Sequence, residues 1–155
     1  MQIDLVIPWV DGDDSAHRRK RQKWAALEGI KDTEARYRNN DELRFLLRSV
    51  EQYWPFEGTI FIVTDSQKPS WLNLNHSRIK LVDHKDFIPE QYLPTFNPKA
   101  IDANLHRIPG LGERYVVMND DMFFSRPVEW TDLFDGGCTF RMTHDSLPDE
   151  DSAEL

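Results

Sequence analysis

Apolar positions in this chain fall into short runs separated by polar, Pro-containing stretches, and the period of each run predicts its element. Ile3-Asp4-Leu5-Val6-Ile7, ended by Pro8, is a β-rich run of the kind that fills a buried strand. Trp9-Val10-Asp11-Gly12-Asp13-Asp14 breaks into a polar turn, and Ser15 is placed to cap a helix reaching about Leu27. Gly29 to Asn39 is irregular. Asn40 or Asp41 caps a second helix, Glu42 to about Tyr53, with Leu43, Leu46, Leu47 and Val50 on one stripe and Pro55 as its stop. Thr59 to Thr64 is the clearest strand, Asp65 to Asn75 a loop, and Ile79-Lys80-Leu81-Val82 a further short strand. A Pro-punctuated stretch leads to a helix predicted from about Lys99 to Arg107, closed by Pro109-Gly110, and then to the strand Tyr115-Val116-Val117-Met118. An edge strand is expected between Gly136 and Met142, and residues 144–155 read as an acidic tail.

Strands alternating with helices predict an α/β domain with a mostly parallel central sheet flanked by helices. Ligands gather at the carboxyl ends of such strands, and here the loops at those ends start with Asp11, Asp65 and Asn119. A length of 155 residues suits one domain, and 39% apolar with 30% charged residues is a globular composition. The net charge of -8 argues against nonspecific nucleic-acid binding, although a local Arg cluster can still meet an anionic ligand. Cys138 is the sole cysteine, which excludes an intrachain disulfide and a Cys-based zinc site. The amino-terminal run is too short for a signal peptide and carries Asp4, and no run approaches the ~20 apolar residues of a membrane helix. A cytoplasmic domain without a transmembrane segment is the expectation.

Several residues could carry chemistry. Asn119-Asp120-Asp121 directly follows a strand, and two adjacent carboxylates cannot both enter the core. One would face the strand-end crevice as a Mg²⁺ ligand or general base, unless the trio is a polar turn capping its own backbone. Asp102 and His106 are four apart on the predicted helix, with Asn104 between them and Arg107 beside them. That spacing supplies either a proton-handling, phosphate-facing group or an ion pair within the helix. Trp9 is an aromatic face for a base or sugar, or a core plug; Asp11-Gly12 is an acceptor or a simple turn. Arg36, Arg38 and Arg44 flank Asn39-Asn40-Asp41 and would clamp phosphates, or are merely exposed. The run His17-Arg18-Arg19-Lys20-Arg21 with Lys23 reads as a solvated helix face. No GxGxxG, P-loop or nucleophile elbow is present, which removes the main support for redox, P-loop and α/β-hydrolase functions.

Taken together in order, these segments resemble one family. Ile3-Asp4-Leu5-Val6-Ile7-Pro8-Trp9-Val10-Asp11-Gly12-Asp13-Asp14 is similar to the first signature of the Stealth proteins. These are hexose-1-phosphate transferases of capsule and exopolysaccharide synthesis, related to the catalytic subunit of the Golgi N-acetylglucosamine-1-phosphotransferase. The second signature is matched by Asn40-Asp41-Glu42-Leu43-Arg44, Ile60-Phe61-Ile62-Val63-Thr64-Asp65, Pro69-Ser70-Trp71-Leu72-Asn73, Leu93-Pro94-Thr95-Phe96-Asn97, Ala100-Ile101-Asp102, His106-Arg107-Ile108 and Asn119-Asp120-Asp121-Met122-Phe123-Phe124. The similarity covers about residues 2–135.

The resemblance implies a nucleotide-sugar-transferase-like (GT-A-like) fold for residues 1–143, forming the amino-terminal part of the family's catalytic unit. It implies a UDP-sugar donor over the strand ends, a carbohydrate hydroxyl as acceptor, and a divalent cation, Mg²⁺ or Mn²⁺. On this reading Asp121 is base or metal ligand, Asp120 backs it as a metal ligand, and Asp102 supports the metal or phosphate network. Trp9, Asp11, Arg44, Thr64, Asp65 and Asn104 hold the donor, while His106 and Arg107 neutralise phosphate charge. Asp102 stands where the family usually has Glu. The later signatures, which supply a further His and Arg, have no counterpart after Asp135. The expectation is therefore a fragment, a chain completed by a partner chain or domain, or one inactive alone, in the cytoplasm or peripheral to the inner membrane face. Ordinary glycosyl transfer and donor binding without turnover are the rival readings.

Overall fold

The chain runs β1 (Asp4–Pro8), α1 (Ser15–Glu28), α2 (Glu42–Tyr53), β2 (Ile60–Thr64), β3 (Ile79–Asp83), α3 (Pro98–Asp102), β4 (Tyr115–Val117) and α4 (Trp130–Leu133). This computed structural model describes residues 1–30 and 37–134; Arg36, Cys138, the expected edge strand at 136–142 and the acidic tail lie outside the described residues. The four strands form one sheet in the order β3-β2-β1-β4, and every neighbouring pair is parallel. The α/β class and the parallel sheet read from the sequence are what the described residues show.

The central strands are apolar without interruption because both faces are covered. Ile3, Leu5 and Ile7 of the β1 segment point to one side with Ile60 and Ile62, where Leu43, Leu46 and Val50 of α2 meet them. Val6, Phe61 and Val63 point to the other, against Val82, Phe87, Leu105 and Ile108. Leu5, Ile7, Leu46 and Ile62 are fully buried, each contributing roughly 1.5–3 kcal/mol of apolar transfer. The exception is Asp4, 2% exposed inside the sheet. Its carboxylate accepts from the Thr59 N–H at 2.7 Å and the Gly112 N–H at 2.8 Å, tying the start of β1 to the turns preceding β2 and β4.

Three local expectations change. Asp14, not Ser15, caps α1: its Oδ1 accepts from the Ala16 N–H at 2.7 Å and the His17 N–H at 2.8 Å, leaving Ser15 as the first helical residue. The stripe α1 buries is His17, Arg21 and Ala25, while Leu27 is exposed, so the basic run is only partly a solvated face. The helix expected from Lys99 to Arg107 is two pieces, α3 and a separate 3₁₀ turn at Leu105–Arg107. The Asn104 side chain bonds back to the Ala100 carbonyl at 2.9 Å at the break. The tighter turn then eclipses Leu105 and Ile108, so that both enter the core. A continuous helix stacking His106 over Asp102 does not exist. No helix among the described residues is long and apolar enough to cross a membrane.

Candidate active site at the carboxyl ends of β1 and β4

The chain lays β2 and then β3 on one side of β1, and crosses back to place β4 on the other. Connections leaving β1 and β4 therefore part in opposite directions, and a crevice opens between them at the carboxyl ends of the strands. A cavity of about 510 Å³ occupies this switch point, with Trp9, Val10, Asp102, Asn119, Asp120 and Asp121 in its wall.

The acidic turn is pinned at both ends. The Met118 N–H donates to Val6 O at 3.0 Å, extending the β4 ladder by one residue, and Met118 is buried in the core. The Met122 N–H closes onto Asn119 O at 3.1 Å, which puts Asp120 and Asp121 at the middle of a turn. On the far side, the Phe124 N–H donates to Ser49 Oγ of α2 at 3.1 Å, and the Phe124 ring stacks on Trp54 at 5.4 Å. Glu42, in the first turn of α2, joins the same wall. The Asn40 backbone and side-chain amides donate to its two oxygens at 2.6 and 2.7 Å. Burial alone would raise the Glu42 carboxyl, but these two donors hold it below its ordinary value, so it is charged.

Asp120 carries the electrostatic consequence. Burial, then repulsion from Asp121 and more weakly from Glu42, pushes its carboxyl up to about 6. Asp102 is likewise raised, by burial. Carboxylates crowded against one another and short of counter-charge favour a cation, a proton or a phosphate-bound metal in their midst.

The opposite wall is different in kind. His17 and His84 line the cavity and are each 4% exposed. Burial holds both imidazoles below their ordinary value, partly opposed by the Asp65 charge, so both are neutral near pH 7. Asp65 itself is buried at the end of β2, paired with Lys20 and 3.9 Å from His17 Nε2.

Of the residues singled out from the sequence, Trp9, Asp102, Asp120 and Asp121 lie in the cavity wall, and Trp9 is also a core residue. Arg38 is the described member of the arginine trio that reaches the wall; Arg44 sits outside it, 3.9 Å from Asp41 and over the Trp71 ring. Asp11 stands one step behind the wall. Its Oδ1 accepts from the Asp13 N–H at 3.0 Å and Asn39 Nδ2 at 3.2 Å, and Gln67 brackets its backbone with two 2.9 Å bonds. Thr64 and Asp65 are sealed beneath the cavity, Asn104 is spent on the Ala100 carbonyl, and His106 and Arg107 are exposed outside the wall. Gly12 matters for a different reason: a Cβ there would lie 1.7 Å from Tyr37 O, so only glycine lets the Tyr37 segment close the cavity. His17, Tyr37, Glu42, His84 and Phe96 are the wall residues that pattern reading did not single out. Glu42 and Phe96 lay inside quoted signature segments, but nothing local marked their side chains as inward-facing.

Comparison with known proteins places the chain in a family. The chain is 40% identical over 136 residues to the capsular polysaccharide phosphotransferase eps5J of Streptococcus thermophilus, covering 85% of this chain and 57% of that protein. It is 42% identical over 137 residues to the receptor polysaccharide phosphotransferase WefC of Streptococcus gordonii, covering 86% and 41%. With the exopolysaccharide phosphotransferase SCO6023 of Streptomyces coelicolor the identity is 46% over 134 residues, covering 85% and 23%. The chain thus spans between about a quarter and somewhat over half the length of these relatives. Residues 1–26 match Stealth protein CR1, conserved region 1, and residues 36–141 match Stealth protein CR2, conserved region 2, so the chain belongs to the Stealth protein family.

Proposed function

We propose that the chain is the donor-binding part of a phosphotransferase that moves a sugar 1-phosphate from a UDP-sugar onto a carbohydrate hydroxyl in capsule or exopolysaccharide synthesis. The observation that carries this reading is the placement of Asp102, Asp120 and Asp121 in the wall of one crevice at the sheet's switch point, where Asp120 is pushed up to about 6. The relatives' names support phosphotransfer as the reaction class.

The acceptor hydroxyl oxygen bonds to the β-phosphorus, the bond from that phosphorus to the bridging oxygen breaks, and UMP leaves. Such a transfer is chiefly positioning and charge stabilisation. The hydroxyl proton needs a carboxylate whose affinity for it is close to the working pH, and Asp120 meets that condition. Asp121, more exposed on the same turn, is then the cation ligand, one of the two roles expected for it from sequence, while Asp120 moves from supporting metal ligand to base. Asp102 supports the phosphate network, and Arg38 at the rim supplies positive charge to it.

No trio of His, Cys, Asp or Glu among the described residues forms a metal cage. Mg²⁺ is commonly held by one or two carboxylates together with substrate phosphates, and Asp121 as a single protein carboxylate fits that mode. When bound, the cation would neutralise charge on the phosphate oxygens.

The test is product analysis with a panel of UDP-sugars and a glycan acceptor. UMP release is the expected result. UDP release, or donor binding with neither product once the completing chain or domain is supplied, removes the proposal: the first would mean ordinary glycosyl transfer, the second a binding domain without turnover.

A further inference from the structure

Two stretches leave the acidic wall side by side and carry exposed rings. Glu42, Phe45 and Ser49 are spaced three and four apart, so they share one flank of α2, with Glu42 in the cavity wall. Asp121, also in the wall, leads into Met122, Phe123 and Phe124. The 3.1 Å bond from the Phe124 N–H to Ser49 Oγ fastens the two stretches together, about two helical turns beyond Glu42. Phe124 turns inward onto Trp54, whereas Phe45, Met122 and Phe123 are each about half exposed. Large apolar side chains left open together beside a charged crevice mark a surface that meets a ligand.

The polar groups around these rings suit one kind of ligand. Glu42 is charged, and each of its oxygens takes one Asn40 donor, at 2.6 and 2.7 Å, so each keeps a lone pair for a hydroxyl. Arg48, exposed on the same helix, lies 5.6 Å from the Phe45 ring and adds N–H donors beside it. A pyranose presents C–H bonds on one face, which seat on the negative face of an aromatic ring. The hydroxyls around its edge seek charged partners. A phosphate would meet the Glu42 charge here, and a purely aliphatic chain would leave that charge unanswered.

We propose that Phe45, Phe123 and Glu42 form the subsite for the acceptor sugar, the rings stacking on a pyranose face and Glu42 accepting from its hydroxyls. The inference rests on the phosphotransferase reading above and deepens it, because it fixes the side from which the acceptor arrives. The reacting hydroxyl then reaches Asp120 from the β4 turn, and the donor occupies the rest of the crevice.

Saturation-transfer NMR with methyl β-glucopyranoside, methyl β-galactopyranoside and their 2-acetamido counterparts reads the stacking directly. It compares the wild-type chain with Phe45→Ala, Phe123→Ala, Phe123→Trp, Glu42→Gln and the exposed control Tyr92→Ala. Irradiating aromatic protons should transfer magnetisation to the C–H protons of one sugar face in the wild type, Phe123→Trp and the control. Each ring-to-alanine variant should weaken sugar binding by about 5–20-fold, the loss of one stacking face. Glu42→Gln should weaken it by about 5–10-fold through loss of a charged acceptor. Calorimetry with UDP and UDP-glucose should show no fall in affinity in any variant. Undiminished sugar binding in both alanine variants overturns the proposal. So does a fall in UDP-glucose affinity relative to UDP, which would seat the donor's own sugar on the rings. Wild-type dimers that Phe123→Ala dissociates, with no sugar bound, would make the patch a protein interface and overturn it as well. If Phe123→Ala fails to fold by circular dichroism, Phe45→Ala decides alone, and undiminished sugar binding there is equally fatal. A wild type that binds UDP but no sugar of the panel defeats this inference alone. One that binds sugar but not UDP defeats the donor reading, and the acceptor assignment with it.

Discussion

The ionisable groups on the two sides of the cavity are treated in opposite ways. Along α1 and the end of β2, Asp65 is answered by Lys20, and the neighbouring His17 and His84 are kept neutral by burial. At the end of β4, Asp120, Asp121 and Glu42 face one another with no salt bridge to a cation among the described residues. The α1 side, where Arg21 also lies buried with its guanidinium 3.9 Å over the Tyr37 ring, keeps its groups paired, stacked or neutral and is suited to shape and hydrogen-bond recognition. A wall of crowded like charges is held in place by the fold against its own repulsion, and binding a cation or a proton relieves it. The contrast separates recognition from chemistry inside a single crevice.

The strongest way to break this contrast is Asp121→Asn in the complete enzyme. If the β4 wall carries the chemistry, the exposed amide should fold normally yet lower UMP release by about 10²–10³-fold, the scale seen when one transition-state charge partner is removed. Wild-type turnover with an intact circular dichroism spectrum would take Asp121 out of the mechanism. Next in size is Lys20→Met, which removes the cation paired with Asp65. Asp65 would remain buried beside a neutral imidazole, and half-exposure of the Lys20 side chain moderates the cost to about 2–3 kcal/mol in urea unfolding. Pairing it with Asp65→Leu should return most of that loss, because the buried charge goes too. If Lys20→Met is neutral, Asp65 was never dependent on Lys20, and the two walls are less different than their geometry suggests.

Much of this arrangement can be read from residues, and the parts that cannot have a common cause. Ile60-Phe61-Ile62-Val63-Thr64 announces a strand buried on both faces, and the leucine stripe of α2 announces which side of that helix is covered. The Asp120-Asp121 pair announces itself by position after β4, since a strand must end before two carboxylates. His17 does not, because its burial depends on Tyr37 and Phe96 arriving from far along the chain. Asp11 misleads in the opposite direction. Its place at a strand end suggests a ligand contact, yet the Gln67 and Asn39 amides, also distant in sequence, turn it into a loop fastener. The Lys99–Arg107 helix fails for a local reason, the Asn104 bond to Ala100, reinforced by the need to bury both Leu105 and Ile108. Period and propensity therefore locate the strand ends that frame the crevice, while the side of each loop residue that faces it is a tertiary fact.

The smallest predicted effect is the most direct measure of the β4 wall, and its sign is fixed. A free aspartate has its midpoint near 3.9, whereas Asp120 in the folded chain is pushed up to about 6. Between those values the unfolded chain has released its proton and the native chain still holds it, so native stability falls as pH rises through that window and stays reduced above it. Full burial would make this penalty about 3 kcal/mol; the solvent reaching an open cleft screens it to about 1–2 kcal/mol. Asp120→Asn has no such proton to lose. Its melting temperature should match the wild type below about pH 4, draw ahead between about pH 4 and 6, and lead by about 3–6 °C at pH 7.5. Adding Mg²⁺ at pH 7.5 should raise the wild type toward the variant and move the variant less, since the cation would relieve the same repulsion. A variant that is less stable than the wild type at pH 7.5 would mean that the Asp120 carboxylate is satisfied where it stands, and the β4 wall would then be compensated like the other.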